Sequence, residues 1–217
     1  RRPAPRRRTR GRAPPPHALS EARCAVASGP RPRADRRGLA LHLDGARLWN
    51  SHAVTGVGLD VIGGLFETVT VCLSKGLGAP VGSVLVSSAD RIARARVWRK
   101  RYGAGMRQVG ILAAGGMYAL DHHLDGLVAD HDRARRLAAG IAEVRPDVVD
   151  PGEVETNIVV LDLAGGPTAA ELASGARDRG VAVSILGPHT ARLVTHRDVD
   201  DGDIDRAIDT LVSLLSR

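Results

Sequence analysis

Cysteine is almost missing: the 217 residues contain two, Cys24 and Cys72. That excludes a disulfide scaffold and most cysteine-based metal frameworks. No apolar run approaches the length that spans a bilayer. No signal-peptide hydrophobic stretch follows the basic start, so the expectation is a cytoplasmic protein. Lysine is equally scarce, with Lys75 and Lys100 standing against 29 arginines. The length suffices for one full domain, or two small ones, with a real core.

The net charge of +7 is unevenly placed. Residues 1–37 hold 12 arginines against Glu21 and Asp35, a local balance of +10, whereas the remainder carries 19 basic and 22 acidic residues. Any inference of nucleic-acid binding therefore rests on the first segment alone. That segment also holds 7 of the 12 prolines, including Pro14-Pro15-Pro16. Such a composition cannot bury a core, and residues 1–37 read as a disordered Arg/Pro-rich tail. The alternatives are a basic arm on nucleic acid, or a transit peptide whose amphipathic helix the prolines oppose.

The rest alternates strands and helices. Leu39–Leu43, Val69–Leu73 and Val81–Val86 are short, nearly continuous apolar runs, which suggests strands buried on both faces. Residues 39–73 have the size of a βαβ unit. Helices are expected over 88–101, over 110–120, which is almost wholly apolar and reads as buried, and over 123–144. After Pro146 come short strands at 148–149, 157–161, 181–185 and 192–195. A helix over 168–179 is stopped by Gly180, and a last helix starts near Asp201. The expected organisation is a larger α/β part over 38–122, then a linking helix and a small α+β domain over 123–217.

Chemistry in a parallel α/β sheet belongs at the carboxyl ends of strands. Asp44 and Lys75 lie at two such ends. In a chain that uses arginine almost everywhere, a lysine at a strand end suggests a task arginine cannot perform, because a lysine amine can lose its proton and attack a carbonyl. A carboxylate on the neighbouring strand end suits a pyridinium nitrogen, and Arg47 suits a carboxylate. The plainer alternatives are a surface lysine in a turn and an ordinary Asp-Gly turn. Taken together, Asp44 and Lys75 point to pyridoxal phosphate. Cys72, within a strand, reads as a buried apolar residue. His52 reads as a loop residue, and Asp121-His122-His123 as a helix start at the surface.

His42-Leu43-Asp44-Gly45-Ala46-Arg47-Leu48 and Ser74-Lys75-Gly76-Leu77-Gly78-Ala79-Pro80-Val81-Gly82-Ser83 resemble the low-specificity L-threonine aldolases. These are fold-type I pyridoxal-phosphate enzymes of the aromatic β-eliminating lyase and threonine aldolase branch. Trp98-Arg99-Lys100, Gly105-Met106-Arg107-Gln108, Thr156-Asn157-Ile158-Val159 and Arg192-Leu193-Val194-Thr195-His196 continue the resemblance in order, from about residue 34 to the end. It implies part of an aspartate-aminotransferase-like large domain with a small C-terminal domain. It also implies that Lys75 bonds the cofactor and Asp44 pairs with its ring nitrogen. Arg47 would lie near its phenolic oxygen and the substrate carboxylate, with Arg192 as that carboxylate's main partner. Lys100 and Arg107 would reach the phosphate side across a subunit interface, and Ser74 would contact the phosphate or cap the turn.

The reaction so implied is cleavage of L-threonine or L-allo-threonine to glycine and an aldehyde, in a homodimer or homotetramer with shared sites. Nucleic acid and membrane are not expected as partners. Family members carry, before the strand that ends in Asp44, a phosphate-binding loop and a histidine that stacks on the ring; residues 1–37 hold no substitute. The expectation is an N-terminally truncated copy that binds pyridoxal phosphate poorly, has little activity alone, and leaves a strand edge and apolar surface uncovered. A β-eliminating lyase, or a non-catalytic α/β fragment with a basic arm, are the alternatives.

Overall fold

The computed structural model describes residues 37–216. The expectation of a disordered tail thus falls outside the described residues except at Arg37.

The first sheet has the order β1-β2-β3, with β1 at His42–Gly45, β2 at Thr68–Cys72 and β3 at Ser83–Ser87. β1 and β2 are parallel, with Leu43 opposite Val69 and Asp44 opposite Thr70. Parallel neighbours require a crossover. Here it is made by α1 (Leu48–Thr55), which stops at the left-handed Gly56, and by α2 (Leu59–Gly63). Leu48, Ile62, Val69 and Val71 are buried between helices and sheet.

β3 departs from the expectation of a strand buried on both faces. It runs antiparallel to β2, and Val84, Leu85 and Val86 stay 44%, 40% and 53% exposed. An apolar run specifies that a strand can be buried, whereas burial itself needs a layer on each face, and these three side chains join none of the core clusters among the described residues. The same correction applies beyond α3 (Ala89–Arg101), in α4 (Gly110–His122). Only Gly116 and Ala119 of α4 are buried, and Ile111 is 82% exposed. α4 rests on a narrow stripe of small residues: Gly115 faces Pro80, Gly116 faces Leu73, and Ala119 joins Leu73, Leu77 and Leu127.

The second sheet is antiparallel, in the order β4-β6-β5, with β4 at Ile158–Asp162, β5 at Ser184–Gly187 and β6 at Thr190–Val194. Val148 and Val149, expected as a strand, are buried without forming one; the Val148 carbonyl accepts a hydrogen bond from the Asp162 amide. Three helices complete this half: α5 (Leu127–Ala142), α6 (Ala169–Arg177) and α7 (Asp201–Leu215). α6 opens on a capping box. The Thr168 hydroxyl accepts from the Glu171 amide, and the Glu171 carboxylate accepts from the Thr168 amide. Its end is closed by Gly180 at φ +80°, where the Val181 amide donates back to the Ala176 carbonyl. α7 buries Ile204, Leu211 and Leu215, the spacing its periodicity requires.

α5 ties the two sheets together. Its first residue, Leu127, lies in the core with Leu73 and Leu77, whereas Ala134, Leu137, Ala138 and Ile141 pack with Val159, Leu161, Leu193 and Leu211. No helix among the described residues is long and apolar enough to cross a membrane.

Candidate active site

The carboxyl ends of β1 and β2 present Asp44 and, three residues beyond Cys72, Lys75. Both are exposed. The segment after β2 is a tight loop rather than a free excursion. The Gly78 amide donates to the Lys75 carbonyl at 2.8 Å, and the Ala79 amide donates to the Leu73 carbonyl at 2.9 Å. Closing so short a turn puts Gly78 at φ +65°, a conformation open to glycine and costly for other residues. Leu77 fixes the loop by inserting its fully buried side chain among Leu73, Ala79, Ala119 and Leu127. His123 holds it from outside. Its Nδ1 lies 2.6 Å from the Leu77 carbonyl, which can only accept, so the proton is on Nδ1. Lys75 is therefore displayed on an anchored loop.

Arg47 precedes α1, and its carbonyl accepts the first helical hydrogen bond, from the Ser51 amide. Trp49 on the same helix donates from Nε1 to the Cys72 carbonyl at 2.9 Å, which locks α1 to the end of β2. Ser74 stands exposed, its Oγ 3.5 Å from the half-buried Cys72 Sγ. Cys72, expected to be buried, is thus only half so, because it ends its strand beside an open loop.

Arg192 comes from the second sheet. In β6 the buried side chains are Ala191 and Leu193, and strand alternation turns Arg192 to the opposite face. Its charge reaches Arg47. Burial, then the charge of Arg192, presses the Arg47 guanidinium below its ordinary range, and Cys72 opposes this more weakly. Arg192 Nε is buried and finds no hydrogen-bond partner among the described residues. Two guanidiniums within electrostatic reach of each other, one with an unfilled buried donor, suit an anion. That observation, with an amine and a carboxylate at adjacent strand ends, fits a cofactor and substrate bearing carbonyl, ring-nitrogen and anionic groups.

Lys100 and Arg107 are not brought to this cluster. Lys100 lies in the last turn of α3 with its stem across Gly105, and Arg107 follows α3; both are exposed. Among the described residues neither has a hydrogen bond or ion pair to Asp44, Arg47 or Lys75.

A second polar cluster was not legible from the sequence. Asn50 Nδ2 donates to His131 Nε2 at 3.0 Å and to Asn157 Oδ1 at 3.4 Å. Asn157 Nδ2 donates to the Thr195 carbonyl, and Thr195 Oγ1 donates to the Asp130 carbonyl. All five residues are buried. Burial, reinforced by Arg135 and opposed by Asp132, pushes the His131 imidazole down to about 4. Burial raises the Asp130 carboxyl, with Arg133, His196 and Arg197 opposing. The available signal was a histidine on an otherwise apolar helix face; Asn50 gives none. His52, expected in a loop, lies within α1, where its Nδ1 reaches the Val57 carbonyl at 2.7 Å.

Residues 31–164 match the beta-eliminating lyase family. The chain is 44% identical over 163 residues to the low specificity L-threonine aldolase of Escherichia coli strain K12, covering 75% of this chain and 47% of that protein. It is 39% identical over 173 residues to low-specificity L-threonine aldolase 1 of Arabidopsis thaliana, covering 79% and 48%. The chain thus spans about half the length of the curated relatives it matches. Among solved structures, the threonine aldolase of Leishmania major superposes with a TM-score of 0.67 at 20% identity, over 85% of this chain and 54% of that one. The fold is that of the fold-type I pyridoxal-phosphate enzymes, and the chain belongs to the beta-eliminating lyase family.

Proposed function

We propose that the protein is part of, or by itself, a pyridoxal-phosphate-dependent carbon–carbon lyase that cleaves L-threonine or L-allo-threonine to glycine and acetaldehyde. The observation that carries the reading is the unfilled buried donor of Arg192, on a strand whose outgoing segment packs against the Lys75 loop where Gly78 faces Arg197. The 44% identity to a low specificity L-threonine aldolase supports the choice of substrate.

In this reading Lys75 holds the cofactor covalently through its amine, and Asp44 keeps the ring nitrogen protonated. When bound, pyridoxal phosphate supplies an electron sink for the pair released as a bond to the substrate's α-carbon breaks. Arg47 at the start of α1 and Arg192 on β6 grip the substrate carboxylate and thereby fix the orientation of the bonds at the α-carbon. A water or a histidine takes the β-hydroxyl proton as the bond between the α- and β-carbons breaks, leaving the aldehyde. The α-carbon takes a proton, leaving glycine. Ser74, Lys100 and Arg107 belong to the phosphate side, the last two from a second copy of the chain. A shared-site homo-oligomer and a cytoplasmic location are part of the same proposal.

The test treats the purified protein with pyridoxal phosphate, reduces it with borohydride and maps the peptides. A pyridoxyl group on Lys75, at low occupancy because this chain is expected to bind the cofactor poorly, and absent from Lys75→Ala, is expected. Incubation with L-threonine should then give glycine and acetaldehyde at a rate well below that of a full-length relative; pyruvate and ammonia would assign β-elimination instead. No label on any lysine would overturn the reading for this chain.

A further inference from the structure

Asn50 bonds His131 and Asn157 and lies against Gly76, so it joins the elements that carry the candidate site. It lies three residues after Arg47, on the same side of α1. Its amide also faces the lysine loop, since a Cβ built on Gly76, next to Lys75, would stand 3.3 Å from Asn50 Oδ1. Through Asn157 it reaches the second sheet. Asn157 is clamped to the end of β6, its side-chain amide donating to the Thr195 carbonyl at 2.7 Å and its carbonyl accepting from the Thr195 amide at 3.0 Å. Thr195 is three residues beyond Arg192. A continuous path therefore runs from Arg47 through α1, Asn50, Asn157 and Thr195 to Arg192. Asn50 and Asn157 are 2% and 3% exposed, so these bonds act without competing water.

Apolar contacts hold two sheets together but tolerate sliding; paired amides with fixed donors and acceptors do not. We propose that Asn50 is a positioning residue that sets Arg47 and Arg192 at the separation needed to hold one carboxylate between them, with the lysine loop seated beside them. The inference rests on the reading of those arginines as a shared carboxylate clamp. It requires neither cofactor nor turnover.

The probe is acetate, followed through the arginine Nε–Hε signals of the full chain by NMR, with Arg47 and Arg192 assigned from Arg→Lys variants. In the parent protein both signals should move with one dissociation constant. Asn50→Ala should split them into two constants, each weakened by about tenfold or more, the loss expected of one buried hydrogen-bonded contact. Asn50→Asp, equal in size, should do the same and serves if the alanine variant does not fold. Asn157→Ala should reproduce the loss, and the double variant Asn50→Ala/Asn157→Ala should be no worse than the poorer single one. Ser51→Ala, buried beside Asn50 but with a hydroxyl that finds no partner, should keep the single constant. A merely structural role would lower the melting temperature and leave the shared constant intact; that result overturns the proposal. Failure of the parent's two arginines to titrate together overturns the clamp reading itself, and the inference with it, and is recognisable before any variant is made.

Discussion

Gly78 on the lysine loop lies directly against Arg197 from the segment that leaves β6: a Cβ built on Gly78 would come within 2.6 Å of Arg197 Cδ. The loop that displays Lys75 and the strand that carries Arg192 are thus in contact through a residue that must lack a side chain. Two constraints coincide there, the left-handed φ of +65° and the close approach. They can be separated. Gly78→Ala should cost roughly 1–2 kcal/mol through backbone conformation alone. The arginine stem is flexible and can move aside, so adding Arg197→Ala should recover little of that loss. Urea denaturation of the three variants measures it. Full recovery in the double variant would show that the contact, not the φ angle, requires glycine.

His131 makes the junction of the two halves sensitive to acid. Its imidazole is pushed down to about 4, mainly by burial, against an ordinary value of 6.5. The unfolded chain therefore takes up a proton between pH 6.5 and 4 that the folded protein refuses. Stability from this group is complete above pH 6.5 and is lost as pH falls towards 4. The size is on the order of 3 kcal/mol. Asp130, whose carboxyl is raised, works in the opposite direction, favouring the fold as pH falls. The difference between parent and His131→Gln isolates the histidine. The parent's unfolding free energy should fall more steeply than the variant's across that window, and parallel curves would refute the assignment.

Much of this arrangement was legible in the residues. The parallel β1–β2 pair followed from two apolar runs separated by one crossover length, and the ends of those runs located Asp44 and Lys75. Arg192 was reached only through resemblance, since a single arginine in a strand says nothing about which face it takes. What misled was composition. Val84–Val86 and Ile111–Tyr118 are apolar enough for a core, but burial is a property of what lies opposite, and sequence patterns describe only one side of each contact. The junction around Asn50 was invisible for a related reason. A polar side chain becomes informative when it is buried, and His131 and Asn157, which satisfy it, lie 81 and 107 residues away.

The α5–α7 contact offers a test of how tightly the second half is built. A Cβ on Gly140 would stand 2.8 Å from both Ile208 Cδ1 and Ile208 Cγ2. Alanine normally favours a helix over glycine, by about 1 kcal/mol. Overpacking should outweigh that gain, so that Gly140→Ala destabilises by about 1–3 kcal/mol. Ile208→Ala in the same background should restore part of it. Thermal unfolding of the two variants distinguishes the terms, and a more stable Gly140→Ala would mean that the helices separate freely.

The final expectation concerns Arg192 under the function proposed above. Lysine there keeps the charge but loses the planar fork that grips a carboxylate with two parallel donors. Arg192 Nε is buried without a hydrogen-bond partner among the described residues, a donor that an entering carboxylate would satisfy. Arg192→Lys should therefore raise KM for L-threonine by about tenfold to a hundredfold, the value of one or two charge-assisted hydrogen bonds. Borohydride labelling of Lys75 by pyridoxal phosphate should persist, because Arg192 is assigned to the substrate and not to the cofactor. Loss of labelling together with activity would move Arg192 from the substrate side to the cofactor side. An unchanged KM would remove it from the site.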